Sequence, residues 1–286
     1  MPLRPTVGSD SKPRCRSIVL TSGKGGVGTS NLALNLAIAL GERGGRVVLV
    51  DADLGLANID LLCGLSPKHD LGDVLAGDCR LVDAVVEGPG GIKIVPGAHA
   101  SRTLVELLLD APDRLLIELA GFEAEADFLV VDAGSGLTRA ITALASSSDE
   151  VLIVTTPEPP SVADAHAAIA RLKRLPGAPT LRGVVNQAAS SREGGEVLAR
   201  LSASSRQFLG AVVDPLGWVR ADPHVPMAVR ARRPFATTYP SALASRDVRK
   251  LAESLLARSE PSARPRRPGF FKALVARWAL ARVASF

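Results

Sequence analysis

Eight residues near the N-terminus, Gly23-Lys24-Gly25-Gly26-Val27-Gly28-Thr29-Ser30, have the types and spacing that hold phosphate. Glycines let a backbone turn tightly and aim its N–H groups inward, and a following helix N-terminus adds partial positive charge. The stretch fits Gly-x-x-x-x-Gly-Lys-Ser/Thr except at the lysine, where Thr29 stands. That lysine is a point charge on the β- and γ-phosphates, and a neutral threonine cannot supply it. Lys24 is a second cation in the same loop and could compensate. Ser30 keeps the hydroxyl that would bind Mg2+. The same residues also read Gly23-x-Gly25-x-x-Gly28, a dinucleotide fingerprint, with Asp51 placed where a ribose-binding acid belongs. Phosphate binding is common to both readings.

Three carboxylates belong to the same chemistry. Asp51 follows the apolar run Arg46–Val50, Asp53 lies two residues on, and Asp132 follows Phe128–Val131. Carboxylates just past buried strands can hold Mg2+ among its waters, and a spacing of two puts Asp51 and Asp53 on one face of a strand. The elements that must position these groups follow from the apolar pattern. Strands are expected at Ser17–Thr21, Arg46–Val50, Ile92–Val95, Phe128–Val131, Val151–Thr155 and Leu181–Val185. Helices are expected at Asn31–Leu40, Arg102–Leu119, Thr138–Ser147, Val162–Leu172 and Asp247–Arg258. Such alternation predicts an α/β fold, a doubly wound and mostly parallel sheet with helices on both faces. Ligands then sit at the carboxyl ends of the strands, where most of the polar groups above fall.

Composition agrees. The 286 residues suffice for one large domain, and 47% hydrophobic with only 3% aromatic residues means a core of Ala, Leu and Val, as under a helix-covered parallel sheet. No apolar run reaches the roughly 18–20 residues of a spanning helix. Residues 1–16 read as a polar, flexible lead with no apolar signal region, and Cys15, Cys63 and Cys79 form no C-x-x-C pair, which suits reduced thiols and a cytoplasmic chain. His69, His99, His166 and His224 are scattered and suggest no metal set. The net charge of +5 comes from the end of the chain: six basic residues and no acid follow Glu260, and without them the charge would be about −1.

SGKGGVGTSN resembles the deviant Walker A motif, KGGxGK[ST], of MinD/ParA ATPases, with Lys24 on the family's signature lysine and Thr29 on its second lysine. Val50-Asp51-Ala52-Asp53-Leu54-Gly55-Leu56-Ala57-Asn58-Ile59-Asp60 resembles the switch I segment of MinD and FlhG-type proteins. The resemblance covers 17–258, is closest to the FlhG (YlxH) branch, and makes a P-loop nucleotide-binding domain the expectation over a dinucleotide oxidoreductase. It implies ATP and Mg2+ as ligands. It implies that Gly23 to Ser30 cradle the phosphates and that Lys24 reaches a partner's phosphates in an ATP-bound homodimer. It also implies that Ser30, Asp51 and Asp132 hold the metal, Asp53 orients the attacking water, Gly134 and Gly136 lie in switch II, and Asn186 of GVVNQ reads adenine. Three departures stand out. Thr29 opens a second reading, a hydrolysis-deficient scaffold. Val219-Arg220-Ala221-Asp222 replaces the I-P-x-D segment beside adenine, and residues 1–16 hold no DQAxxLR motif.

Residues 259–269 are Pro-rich and basic and read as a linker. In 270–286, FFKALVARWALARVASF, fall four of the chain's ten aromatics, and Phe270, Phe271, Leu274, Val275 and Trp278 share a helical face. An apolar, cationic helix suits an anionic membrane surface, at about 1 kcal/mol per basic residue before ordering costs, so one copy binds reversibly and a dimer far better. This segment resembles the membrane-targeting helix of MinD and FlhG and implies a peripheral place on the cytoplasmic face of the membrane; the alternative is a terminal helix docked on the body. Arg230, Arg232 and Arg233 suit a solvated face or, as in the ParA branch, DNA. The expected function is a MinD/FlhG-like switch that positions cell structures, with weak or partner-dependent ATP hydrolysis and an unnamed activator or cargo.

Overall fold

Alternate residues of each central strand are buried on opposite faces, which is how a period-two pattern places two helix layers on one sheet. The computed structural model describes residues 14–53, 57–97, 113–136, 138–175, 179–257 and 269–283. Its strands are β1 (Arg16–Ser22), β2 (Val47–Asp51), β3 (Val86–Glu87), β4 (Lys93–Val95), β5 (Phe128–Ser135), β6 (Glu150–Thr155), β7 (Thr180–Ala188) and β8 (Val213–Arg220). They form one eight-stranded sheet in the order β3-β4-β2-β5-β1-β6-β7-β8, antiparallel only at β3–β4. Strand β1 lies between β5 and β6; the chain runs from β1 to β2 on one side and later crosses from β5 to β6 on the other. That is the topological switch point at which α/β sheets bind ligands.

On one face, Ile18, Leu20, Val47 and Leu49 pack with the Thr29–Gly41 helix and with Val248 and Leu251 of the Leu243–Ala257 helix. On the other, Val19, Val48, Val50 and Leu129 pack with Leu119, Ile141, Leu144 and Ile169 from the helices Asp113–Glu125, Arg139–Ser147 and Pro159–Leu172. The central strands carry almost no polar side chain in their interior, and backbone pairing satisfies their amides, so the sheet is a rigid base for loops at its carboxyl edge.

The six expected strands are all present. The Arg102–Leu119 helix lies partly outside the described residues, as do His99 and most of 259–269. The sequence pattern missed β8 and the 19-residue helix Ser191–Leu209, whose Ser-rich stretch with Gly194 and Gly195 carries little helical signal. Gly194 is there for space: a Cβ would lie 2.6 Å from the Trp218 ring. Gly194→Ala is expected to cost about 1–3 kcal/mol of stability by overpacking, read as a lowered thermal midpoint. Strand β8 tolerates Pro215 because it is a sheet edge, with a register shift beside Gly217.

The Phe270–Val283 helix lies on the body. It packs on the helices Asp113–Glu125 and Arg139–Ser147, with Phe270, Phe271 and Leu274 buried in the same core as β1 and β5. The two rings meet edge-on at 5.2 Å. The Glu123 carboxylate accepts the N–H groups of Phe270 (2.6 Å) and Phe271 (3.3 Å), satisfying orphan donors at the helix start. The apolar face expected from the sequence thus turns inward as far as Leu274. Among the described residues no helix is long and apolar enough to cross a membrane.

Candidate functional site

The loop Gly23–Gly28 leaves β1 and enters the Thr29–Gly41 helix, whose N-cap is Gly28 at φ 88°. That left-handed conformation suits glycine, and space demands it as well, because a Cβ would lie 2.6 Å from Asn186 Nδ2. Asn186, at the carboxyl end of β7, donates through Nδ2 to the Val27 carbonyl at 2.8 Å. The strand-end asparagine is thereby fixed against the loop, and its amide oxygen remains an acceptor, the group that matches adenine's exocyclic amine.

Thr29 does not occupy the place of a cation reaching outward. It is buried, and its hydroxyl donates to Ser22 Oγ at 3.0 Å, which in turn donates to the Lys24 carbonyl at 2.9 Å. Two hydroxyls therefore tie the helix start to the loop. Lys24 is half exposed and lies 3.6 Å from Glu158, an acid just past β6 that the sequence reading missed although it sits at the same strand edge. An exposed pair of this kind contributes little and is readily exchanged for a phosphate.

Asp51 and Asp132 are paired across neighbouring strands at the carboxyl edge, and both are buried. Asp51 accepts N–H groups from Asn58 (2.9 Å), Ile59 (3.1 Å) and Asp53 (3.2 Å), so it orders the start of the Ile59–Cys63 helix as well as facing Asp132. Asp132 Oδ1 accepts from Gly134 N at 3.2 Å, and Oδ2 is buried with no hydrogen-bond partner among the described residues. Burial pushes both carboxyls up, Asp51 to about 8 with Asp132 adding repulsion, and Asp132 to about 6 against the pull of the Ser30 hydroxyl and the Gly134 amide. Two buried carboxyls side by side resist ionising together and would ionise fully beside a cation.

Asp53 is placed by a different device from the one the spacing suggests. Strand β2 ends at Asp51, so strand alternation does not carry to Asp53. Its carboxylate instead packs on Gly134, at φ 69°, where a Cβ would fall 2.3 Å from Asp53 Oδ2. It is half buried, with its pKa raised by burial. Asp53 and the segment after Asp132 thus touch directly.

A divalent cation fits this corner: an orphaned buried oxygen, two carboxyls that resist ionising alone, and a serine hydroxyl at the helix start. Among the described residues no three His, Cys, Asp or Glu side chains cluster as a ligand set. Mg2+ keeps several waters and shares phosphate oxygens, so one or two carboxylates and a hydroxyl can hold it. His69, His166 and His224 are engaged with Asp73, Val162 with Ser204, and Asp222 respectively.

A family model described as the CobQ/CobB/MinD/ParA nucleotide binding domain matches residues 18–239. The chain belongs to this family. It is 38% identical over 238 residues to the antiactivator FleN of Pseudomonas aeruginosa, covering 83% of this chain and 85% of FleN. It is 31% identical over 256 residues to the flagellum site-determining protein YlxH of Helicobacter pylori, covering 89% and 86%. The septum site-determining protein MinD of Pyrococcus horikoshii, solved with Mg-ADP, superposes with a TM-score of 0.68 at 30% identity, covering 85% of this chain and 98% of that one. These matches confirm the P-loop fold of the MinD/ParA family and its FlhG branch. They exclude the dinucleotide reading of Gly23 to Gly28 as a fold class.

Proposed function

We propose that the chain is a nucleotide-dependent switch that binds Mg-ATP, dimerises on it, and positions a cell structure from the cytoplasmic face of the membrane. The observation that carries this is the convergence at one sheet edge of the Gly23–Ser30 loop, the Asp51–Asp132 pair and Asn186. In this reading the backbone of Gly23, Gly25, Gly26, Val27, Gly28, Thr29 and Ser30 binds the phosphates, and Asn186 holds the base. Ser30, Asp51 and Asp132 hold Mg2+, which when bound neutralises phosphate charge. Lys24 leaves Glu158 for a phosphate of the partner protomer, and Asp53 orients the attacking water. The loss or gain of a γ-phosphate acts on Asp53, and through its contact with Gly134 on the segment after Asp132. The flagellum- and septum-determining relatives support a placement role.

Thr29 favours a second reading, a scaffold that binds nucleotide without hydrolysis. A phosphoryl-transfer site depends on neutralising charge, and this loop has one lysine fewer than the family motif. DNA positioning, through Arg230, Arg232 and Arg233, is a third reading; Arg230 borders the cavity described below rather than a separate surface. The test is Mg-ATP binding to the full chain followed by phosphate release, for wild type and Thr29→Lys. Turnover that rises roughly 10-fold or more in the variant means that only the missing charge limits a working ATPase. Binding with turnover unmoved by the variant supports the scaffold, and absence of Mg-ATP binding overturns the switch.

A further inference from the structure

A cavity of about 670 Å3 opens beside Gly28 and Asn186, continuous with the phosphate loop. Whatever is attached to the phosphates therefore extends into it, and its walls are largely apolar, with Leu32, Val219, Val225 and Phe235 among them. A flat heteroaromatic base suits such walls. Of the charged residues lining the cavity, Asp222 is committed elsewhere, accepting the His224 and Ala244 amides and His224 Nδ1. Arg220 is different. Its backbone N–H (3.1 Å), Nε (2.7 Å) and Nη2 (2.8 Å) all donate to Asp247, which is 3% exposed. Two guanidinium hydrogen bonds to one buried carboxylate, which the Arg220 backbone N–H also holds, fix the guanidinium plane and leave Nη1 without a hydrogen-bond partner among the described residues.

We infer that Arg220, clamped by Asp247, is a base-contacting residue of the nucleotide site, packing its guanidinium plane against a purine. The physics is that of a planar cation held rigid beforehand. An arginine on an aromatic face gains cation–π and stacking energy, and one already immobilised loses no side-chain freedom on binding. A lysine at the same place could keep the charge and the ion pair but has no plane to stack. Asp247 is then a positioning residue, acting only through the arginine. The inference deepens the nucleotide-switch reading and rests on it.

The experiment compares the affinities of the full chain for ATP and for inorganic tripolyphosphate, which fills the phosphate loop but carries no base. Arg220→Lys preserves a cation beside the buried Asp247 and so avoids stranding it. The paired variant Arg220→Gln with Asp247→Asn replaces the ion pair by a neutral one, and melting curves confirm folding of each. The expected result is a loss of ATP affinity of roughly 3- to 30-fold in both variants, with tripolyphosphate binding unchanged. Equal losses for both ligands, or no loss for either, would overturn the base contact while leaving the nucleotide reading in place. Failure of the wild type to bind ATP at all would remove the parent reading and the inference with it.

Discussion

Asp132→Asn is expected to make the nucleotide-free protein more stable at pH 8 and at the same time to abolish the stabilisation given by Mg-ATP. The sign follows from the direction of the shifts. Burial raises Asp132 from 3.8 to about 6 and Asp51 to about 8. A carboxyl whose folded pKa is raised releases its proton more easily when unfolded, so stability falls as pH rises from the unfolded value through the folded one. For this pair the loss accumulates between about pH 4 and about pH 8. Removing one carboxylate removes its own desolvation cost and the repulsion on Asp51, for a gain of about 1–3 kcal/mol at pH 8 that shrinks toward pH 4. The Asp132 Oδ1 contact to Gly134 N survives in an asparagine. The same substitution takes away half of the paired charge that a divalent cation would meet. Wild type at 100-fold excess of Mg-ATP over its dissociation constant gains about 2.7 kcal/mol, and the variant is expected to gain almost none. Thermal unfolding between pH 5 and 8, with and without Mg-ATP, reads both effects. A variant that is less stable than wild type at pH 8, or that still responds fully to Mg-ATP, would contradict the role given to this carboxyl.

The placement of the loop and of the strand-end carboxylates was legible in the sequence because its signals are local. A strand, a glycine-rich turn and a helix start fall within Arg16–Gly41, and Asp51 and Asp132 each follow an apolar run by one residue. What was not legible is set by contacts between distant segments. Gly134 is needed by Asp53, Gly194 by Trp218, and Gly28 by Asn186, and none of these pairs is marked by spacing. Helix Ser191–Leu209 was hidden for the same reason: its stability comes from packing on β7 and β8, which overrides the poor helix propensity of its glycines and serines. Glu158 and Arg220 acquire a place only when the carboxyl ends of β6 and β8 are brought to the same sheet edge as the loop.

Glu123→Ala is expected to shift the chain onto anionic vesicles, because it releases the Phe270–Val283 helix from the body without changing the helix itself. Docked, the helix buries Phe270 and Phe271, at about 1.5–3 kcal/mol each, and Glu123 caps its first amides. Against that stand the six basic residues after Glu260, worth about 1 kcal/mol each at an anionic surface. The two sums are comparable, so a loss of about 1–2 kcal/mol in the docked state, typical of a lost helix cap, is enough to tip the balance several-fold. The groove left behind would expose Ile141, Leu144 and Phe122, and a lower thermal midpoint in the absence of vesicles is expected to accompany the release. Co-sedimentation with vesicles of neutral and of anionic lipid measures the partition. Truncation before Gly269 should abolish it, and raised salt should weaken it. If Glu123→Ala lowers the midpoint yet leaves sedimentation unchanged, the helix serves only to close the hydrophobic groove between the helices Asp113–Glu125 and Arg139–Ser147. If sedimentation rises only with anionic lipid, one helix alternates between two apolar surfaces, and any event that doubles its local number, such as dimerisation on nucleotide, favours the membrane.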